Sequence, residues 1–483
     1  MRNFFPLCKT LSHFLLVLLV FGLIFGCQEE LQEPTITDKQ SPLELKSAKN
    51  ANFMVISTSE TLPSGFEKKL SPYGQVVKSM PEIGIVVIKP TSANFELVVS
   101  KIEGVSAVVP DLTVKWIEPT QFVTASRKFL KAANPPSIGS NEPYFFYEWG
   151  MDAIDAPEAW NAGYKGKNAR VFILDSGIDA EHPDLAPNLN KTLSTSFVPG
   201  EGYNIASGSY FNHGTHVAGT IAAADNDYGV IGVAPEAEIV AVKVLSEYNG
   251  SGDFSWVNEG IVYAANNGAD VINMSLGATF ARNGFYLDEN GVLQKTPAVY
   301  LQRLILAQQR AVNYAYGKGA VIVVSAGNEA HNSDGDAYIY KLPAELQNVI
   351  AVSATAPNYW YRDLMNGVTD PLLDIPASYT NFGKSLVAIG APGGDFDFAE
   401  QTNWYWDMVL STSSEGFSWA AGTSMASPHV AGVAALVIAK NGGSMRPHEV
   451  TAQLLKTADK IDGSGISAFY GKGRVNAFRA VTE

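Results

Sequence analysis

Short apolar runs rich in valine and isoleucine recur from Trp149 to the end of the chain. Strands buried on both faces have this pattern, whereas strands with one solvated face alternate apolar and polar residues. Helical stretches such as Val257–Asn267 and Leu301–Gly317 separate several of the runs. We therefore predict an α/β domain over residues 144–483, with a parallel sheet and helices on both faces. The predicted strands are Val171–Leu174, Ile239–Val244, Val271–Met274, Val321–Val324, Val349–Val352 and Leu386–Ile389.

A unit over residues 52–117 has a different order of elements. Its β-α-β-β-α-β pattern is typical of a small ferredoxin-like α+β sandwich. Residues 118–143 are rich in proline and have the composition of an exposed linker, which is where proteases cut. The predicted strands are Asn52–Thr58, Val76–Met80, Gly84–Lys89, Val105–Val109 and Thr113–Trp116, and the predicted helices are Pro63–Leu70 and Thr91–Ile102.

Residues 1–26 have the pattern of a signal peptide. Arg2 and Lys9 precede an uncharged apolar run that is too short to span a bilayer comfortably. The run ends in Leu23-Ile-Phe-Gly-Cys27, which resembles the bacterial lipobox, so we expect Cys27 to be acylated. An ordinary secretory signal with a chance cysteine is the alternative. Residues 27–51 are polar and without periodicity, as expected for a tether.

Composition narrows the class of protein. Apolar residues make up 46% and charged residues 17% of the 483 positions, which is typical of a globular protein. The formal net charge of -14 argues against nucleic acid as a partner. Only two cysteines occur, both near the start, so we expect no internal disulfide in a chain that is predicted to be exported.

The stretch Trp419-Ala-Ala-Gly-Thr-Ser-Met-Ala-Ser-Pro-His-Val-Ala-Gly432 predicts a turn that leads into a buried helix. Gly422 supplies the turn, and Pro428 is expected near the first helical turn, where a missing N–H costs least. Ser424 is then at a helix N-terminus, where unpaired N–H groups favour a developing negative charge. This environment suits a nucleophile. A capping serine in a close-packed core is the alternative.

Two other residues could activate such a hydroxyl. Asp175 directly follows an apolar strand, and His213 begins the small-residue stretch His213-Gly-Thr-His-Val-Ala-Gly219. A nucleophilic serine needs an imidazole to take its proton and a carboxylate to orient that imidazole. A turn-initiating aspartate is the alternative for Asp175. His213 and His216 could instead bind a metal, but no glutamate lies between them and no third ligand motif is near.

The order Asp, His, Ser differs from that of the α/β-hydrolases and the chymotrypsin group and is that of subtilisin. Residues 149–481 resemble the subtilisin-like serine peptidases throughout. The motifs that carry the resemblance are Leu174-Asp-Ser-Gly177, His213-Gly-Thr-His-Val-Ala-Gly219, Gly422-Thr-Ser-Met-Ala-Ser-Pro-His429, Val271-Ile-Asn-Met-Ser-Leu-Gly277, Ser325-Ala-Gly-Asn328 and Tyr470-Gly-Lys-Gly-Arg-Val-Asn476.

The resemblance implies a role for each matching residue. Ser424 is the nucleophile, His213 is the general base and then the general acid, and Asp175 orients the imidazole. Asn328 is the side-chain donor of the oxyanion hole, with the Ser424 N–H as second donor. Two segments bind the substrate as an added strand: Ser275, Leu276 and Gly277 in one, and Ser325, Ala326 and Gly327 in the other.

A structural Ca²⁺ site is also implied. Asp184 and Asn226 match side-chain ligands of the tight calcium site of the family, and oxygen ligands suit this ion. Phe145, however, falls where another side-chain ligand is usual. A polar turn without an ion is the alternative.

Other positions depart from the family pattern. Insertions over residues 279–300, 357–376 and 395–408 lie near strand ends, where they could shape the cleft or simply pack down. Lys341 or a neighbour matches the floor of the primary substrate pocket, where glycine is common. The sequence alone gives no substrate preference from this position.

The sequence thus predicts an exported, lipid-anchored serine endopeptidase, located in the outer membrane or at the cell surface. Residues 52–117 are similar to the inhibitory propeptides of the family, so we expect a zymogen that cuts itself within residues 118–143. Its partners are protein or peptide substrates, its own propeptide and the membrane. An inactive binding scaffold and an esterase are the rival functions. Intact catalytic positions disfavour the first, and strand-binding segments disfavour the second.

Overall fold

The computed structural model describes residues 52–117, 122–125, 139, 141–205, 212–336, 338–368, 371–396, 404–414, 416–443, 445–463 and 465–483. The predicted signal peptide, Cys27, the tether and most of the linker lie outside these ranges. Within them, no helix combines the length and apolar character that a membrane span requires.

The N-terminal unit is an antiparallel sheet of four strands with two short helices on one face. Its spatial order β2-β3-β1-β4 is the β-α-β-β-α-β arrangement that the pattern predicts. Val55 and Val86 face the helices, while Met54 and Val87 face the opposite side. The elements are β1 (Phe53–Ser57), α1 (Phe66–Leu70), β2 (Gly74–Met80), β3 (Ile85–Pro90), α2 (Phe95–Val99) and β4 (Val105–Pro110).

The following strands and helices belong to the rest of the chain. The strands are β5 (Thr113–Lys115), β6 (Val123–Thr124), β7 (Arg170–Asp175), β8 (Thr195–Ser196), β9 (Glu238–Lys243), β10 (Ser251–Asp253), β11 (Val271–Met274), β12 (Ala278–Ala281), β13 (Phe285–Leu287), β14 (Leu293–Lys295), β15 (Val321–Ser325), β16 (Ile339–Leu342), β17 (Ile350–Ala356), β18 (Ile375–Pro376), β19 (Ile389–Pro392), β20 (Val409–Ser413) and β21 (Gly416–Ala420). The helices are α3 (Trp149–Ala153), α4 (Ala156–Asn161), α5 (His213–Ala222), α6 (Phe254–Asn266), α7 (Ala298–Gly317), α8 (Trp360–Met365), α9 (Thr423–Lys440), α10 (Pro447–Thr457) and α11 (Ala477–Thr482).

A largely parallel sheet lies at the centre of the larger part of the chain, as predicted. Its order is β8-β9-β7-β11-β15-β17, and β18 and β19 both pair with β17, β18 being antiparallel. The last predicted strand, Leu386–Ile389, is wrong in its bounds. The N–H groups of Leu386 and Val387 donate to the Gly383 carbonyl in a turn, so the strand begins only at Ile389.

Both faces of this sheet are buried, which explains its continuous apolar runs. On β7, Val171 and Ile173 face the core that contains α5 and α9, and Phe172 and Leu174 face the core that contains α6 and α7. Fully burying such a side chain stabilises the fold by about 1.5–3 kcal/mol. The parallel strands run in the same direction and so have their carboxyl ends at one edge of the sheet. The polar motifs of the sequence follow the strands at this edge.

The strand predicted at Thr113–Trp116 does not extend the N-terminal sheet. Instead, β5 pairs antiparallel with β10, so it adds a strand to the larger part of the chain. The free face of the N-terminal sheet packs on α6 and α7, where Met54 and Val87 share a core with Val257 and Leu304. Arg303 Nη1 also donates to Glu96 Oε1 at 2.8 Å across this contact.

The insertions fold onto the same body. Residues 279–300 contribute β12, β13 and β14, which form a small antiparallel sheet with β16. Residues 357–376 contribute α8 and β18. The aromatic residues Trp404, Tyr405 and Trp406 pack against the core, and the Trp406 ring centroid lies 5.7 Å from that of Tyr147. Their contacts favour the packing interpretation for the described part of 395–408.

Candidate active site

Asp175 and His213 form a buried pair at the edge where the parallel strands end. Asp175 is the last residue of β7, and His213 is the first residue of α5. The Nδ1 atom of His213 lies 2.9 Å from Asp175 Oδ1 and 3.0 Å from Oδ2. Asp175 Oδ1 also accepts the Ser176 N–H at 2.7 Å. The carboxylate therefore holds the imidazole with Nδ1 protonated, which directs Nε2 to act as a base.

Ser424 is the second residue of α9, a helix that packs directly against α5. Its hydroxyl donates to the carbonyl oxygen of Ser275 at 3.2 Å. Pro428 lies further inside the helix than predicted and removes the N–H that the Ser424 carbonyl would accept. The Ser275 hydroxyl replaces that donor, at 2.8 Å from the Ser424 oxygen. The start of α9 and the Ser275 segment are thus bonded in both directions.

Asn328 lies beside Ser424 with its side chain fixed. Its Oδ1 accepts the N–H of Thr423 at 2.9 Å and the hydroxyl of Thr423 at 2.7 Å. Because the oxygen is held in this way, the Nδ2 group is the donor that Asn328 presents beside the serine. An amide donor fixed next to a nucleophile is suited to stabilise an oxyanion.

The second histidine of the predicted pair has a structural role. His216 Nε2 lies 3.2 Å and 3.1 Å from the carbonyl oxygens of Val409 and Ser418, and burial lowers its pKa to about 3. A neutral imidazole bonded to two carbonyls ties α5 to β20 and β21. Across the described ranges, no group of three or more His, Cys, Asp or Glu side chains is placed to hold a metal ion.

The two predicted substrate-binding segments flank Ser424. Ser275, Leu276 and Gly277 follow β11, and Ser325, Ala326 and Gly327 end or follow the neighbouring strand β15. Gly327 N–H donates to the Thr423 hydroxyl at 3.1 Å, so this segment is bonded to the start of α9 as well. A cleft with an extended backbone segment on each side is suited to bind a peptide as an added strand.

The chain that follows the N-terminal unit is bonded close to Ser424 at two places. On one side, the carbonyl oxygen of Trp116, next to β5, accepts the Gly277 N–H at 2.8 Å. On the other side, β6 pairs antiparallel with β21, which ends at Ala420, four residues before Ser424. Residues 118–121, which connect the two, lie outside the described residues.

Two buried carboxylates, Asp184 and Glu142, lie beside the loop that carries Asn226. Asp184 Oδ2 accepts the Val230 N–H at 3.1 Å, and burial together with the charge of Glu142 raises the pKa of Asp184 to about 8. Glu142 Oε1 accepts the N–H groups of Asn226 and Asp227 at 2.7 Å and 2.8 Å. The sequence analysis did not predict Glu142 as a ligand. Its only signal in the sequence is its position shortly before the aromatic run Tyr144–Tyr147.

Comparison with known proteins decides the family. Residues 166–473 match the sequence profile of the Subtilase family, and thermitase from Thermoactinomyces vulgaris is 36% identical over 71% of this chain and 98% of its own length. The chain belongs to the subtilase family. Such enzymes are serine endopeptidases, so this subtilase hydrolyses peptide bonds in peptide or protein substrates.

Solved structures agree with this fold. The epidermin leader peptide processing protease of Staphylococcus aureus superposes with a TM-score of 0.68 at 23% identity, covering 89% of this chain and 98% of that one. Fervidolysin from Fervidobacterium pennivorans gives 0.66 at 26% identity, with coverages of 90% and 61%. The first is similar in fold alone, and both confirm the predicted subtilisin-like α/β class.

Proposed function

We propose that the subtilase acts through Asp175, His213 and Ser424. The supporting observation is the buried Asp175–His213 pair beside α9, the helix whose second residue is Ser424. The Ser424 hydroxyl attacks the peptide carbonyl while His213 Nε2 takes its proton, and Asp175 stabilises the imidazolium that forms. The imidazolium then protonates the leaving amine, and water hydrolyses the acyl-enzyme by the reverse proton transfers.

Asn328 Nδ2 and the Ser424 N–H stabilise the oxyanion of each tetrahedral intermediate. The fixed Oδ1 of Asn328 supports this role, because a donor held in place needs no reorganisation as charge develops. Ser275–Gly277 and Ser325–Gly327 align the substrate backbone between them.

The enzyme is made as a zymogen that cuts itself. Support comes from the path of the chain, since Trp116 is bonded to Gly277 on one side of Ser424 and β6 is paired with β21 on the other. Residues 117–122 connect these two segments. We therefore narrow the processing site from residues 118–143 to the bonds between Ile117 and Phe122. Residues 52–117 then remain as an inhibitory propeptide on α6 and α7.

A lipid on Cys27 attaches the precursor to the membrane after export. Because Cys27 precedes the cut, processing leaves the lipid on the propeptide rather than on the peptidase. The mature enzyme is then held at the membrane only by its non-covalent contact with the propeptide.

One experiment tests both proposals. The Ser424→Ala chain is expressed in a lipoprotein-processing bacterium, and its size and distribution are followed by immunoblotting. We expect an uncut precursor in the membrane fraction, and an uncut precursor in the soluble fraction once Cys27→Ser is added. Processing of purified Ser424→Ala, free of other proteases, would contradict self-cleavage. A soluble Ser424→Ala precursor that keeps Cys27 would contradict the lipid anchor.

A structural Ca²⁺ is bound by Asp184, Asn226 and Glu142. Support comes from two carboxylate oxygens, Asp184 Oδ1 and Glu142 Oε2, which are buried without a hydrogen-bond partner among the described residues. Buried carboxylates of this kind favour a hard cation with oxygen ligands. The family usually has a side-chain ligand at the position of Phe145, which cannot bind an ion. Glu142 supplies the negative charge instead. When bound, the ion ties residues 141–148 to the loop over residues 224–230.

A further inference from the structure

A narrow gap separates the two substrate-binding segments next to Ser424. Gly277 ends one segment and Gly327 ends the other, just beyond the neighbouring parallel strands β11 and β15. The resemblance to the family puts Lys341 at the floor of the primary pocket, so this gap is where the side chain before the cleaved bond would enter. The contents of the gap therefore decide which residues the enzyme accepts before the cleaved bond.

The side chain of Lys341 fills this gap. It comes from β16, which pairs with β12 so that Lys341 lies opposite Thr279. A Cβ atom on Gly327 would clash with Lys341 Cε, and a Cβ atom on Gly277 would lie 3.6 Å from it. The methylene stem thus lies against both glycines, where the substrate side chain would otherwise go.

The ammonium group of Lys341 is held by polar partners. Its Nζ donates to Thr279 Oγ1 at 2.5 Å and forms an ion pair with Glu329, which is also bonded to Asn381 Nδ2 at 2.6 Å. The Lys341 side chain is only 5% exposed, whereas that of Glu329 is 47% exposed. A bulky apolar group could enter only by displacing the buried ammonium from these partners, which is costly.

We propose that Lys341 closes the primary pocket to bulky apolar side chains, so that the enzyme cuts after residues with short side chains. The inference rests on the catalytic and substrate-binding roles proposed above. It goes beyond them because the same catalytic machinery with an open pocket would accept aromatic residues.

The test compares peptide anilides that differ only in the residue before the cleaved bond, Ala or Phe. Processed enzyme is prepared from the full chain, and its active sites are counted with a fluorophosphonate. We expect kcat/KM of the native enzyme to favour Ala by about tenfold or more. In Lys341→Ala, the ratio of kcat/KM for Phe to that for Ala should rise about tenfold. Lys384→Ala, an exposed lysine away from the gap, is the matched control.

Lys341→Met separates volume from charge. It keeps a long stem but loses the ammonium that Thr279 and Glu329 hold in place, so kcat/KM for Phe should rise less than in Lys341→Ala. Native enzyme that cleaves Phe as well as Ala overturns the proposal, whether or not the variants fold. Lys341→Ala that keeps Ala turnover without gaining Phe turnover also overturns it. Absence of fluorophosphonate labelling in native enzyme instead contradicts the catalytic role of Ser424.

Discussion

The proposed role of Asn328 uses both ends of its amide, because its Oδ1 accepts from Thr423 and its Nδ2 is the proposed oxyanion donor. We expect Asn328→Ala to lower kcat by about 10²–10³ with little change in KM, a magnitude known from subtilisin itself rather than derived from this structure. Asn328→Asp is the discriminating variant, since it keeps an acceptor for Thr423 but loses the donor. Steady-state kinetics on one peptide substrate measures both. Near-native kcat in Asn328→Asp would mean that Asn328 only anchors Thr423.

The residues of the active site differ in how far the sequence predicts them. Asp175, His213 and Ser424 each lie in a short contiguous motif, so their chemistry is visible without a fold. Glu142 meets the amide of Asn226, 84 residues away, and only the folded chain brings the two together. The resemblance to the family places Lys341 at the pocket floor. The direction of its side chain, however, depends on the register between β16 and β12, which the hydrophobic periodicity does not fix.

At the level of elements, continuous apolar runs predicted the parallel sheet well, because both of its faces are buried. The strand with which β5 pairs could not be predicted from the sequence. A short strand with one buried face pairs with any free edge, and here the edge is β10 rather than the N-terminal sheet. The prediction that Pro428 lies near the first helical turn was also wrong. Proline is tolerated further inside α9 because the Ser275 hydroxyl, from another segment, replaces the lost helical hydrogen bond.

The loop over residues 224–230 is the element whose stability should depend on calcium. An ion that binds only the folded state stabilises it by about 2.7 kcal/mol at a hundredfold excess over Kd. We expect calcium to raise the Tm of the Ser424→Ala precursor, which cannot digest itself, and a chelator to reverse the rise. Glu142→Gln should weaken both this rise and Tb³⁺ luminescence, whereas Glu181→Gln, at an exposed position nearby, should leave them unchanged. A Tm that is insensitive to calcium and chelator would rule out the ion.

Across the whole molecule, the contact between the N-terminal unit and the peptidase brings buried Asp111 next to Asp253. Asp111 Oδ1 accepts the Ser255 N–H at 3.0 Å at the start of α6. Burial, and then the charge of Asp253, raise the pKa of Asp111 to about 8. The pKa of Asp253 is also raised, by desolvation first and then by the charge of Glu289. Release of the N-terminal unit returns Asp111 to water and to its ordinary pKa near 3.8.

The contact should therefore weaken as the pH rises. Because the pKa of Asp111 is higher in the complex than in the released unit, the complex retains its proton, and this contribution is full below about pH 4 and lost as the pH passes about 8. Affinity can fall by up to about tenfold per pH unit in between. Gel filtration of the processed complex at pH 5.5 and 8.5 measures this without relying on activity, which depends on His213. We expect co-elution at the lower pH and separation at the higher one. Asp111→Asn, which keeps an acceptor for Ser255 but cannot ionise, should co-elute at both, and separation of that variant at pH 8.5 would show that other groups control release.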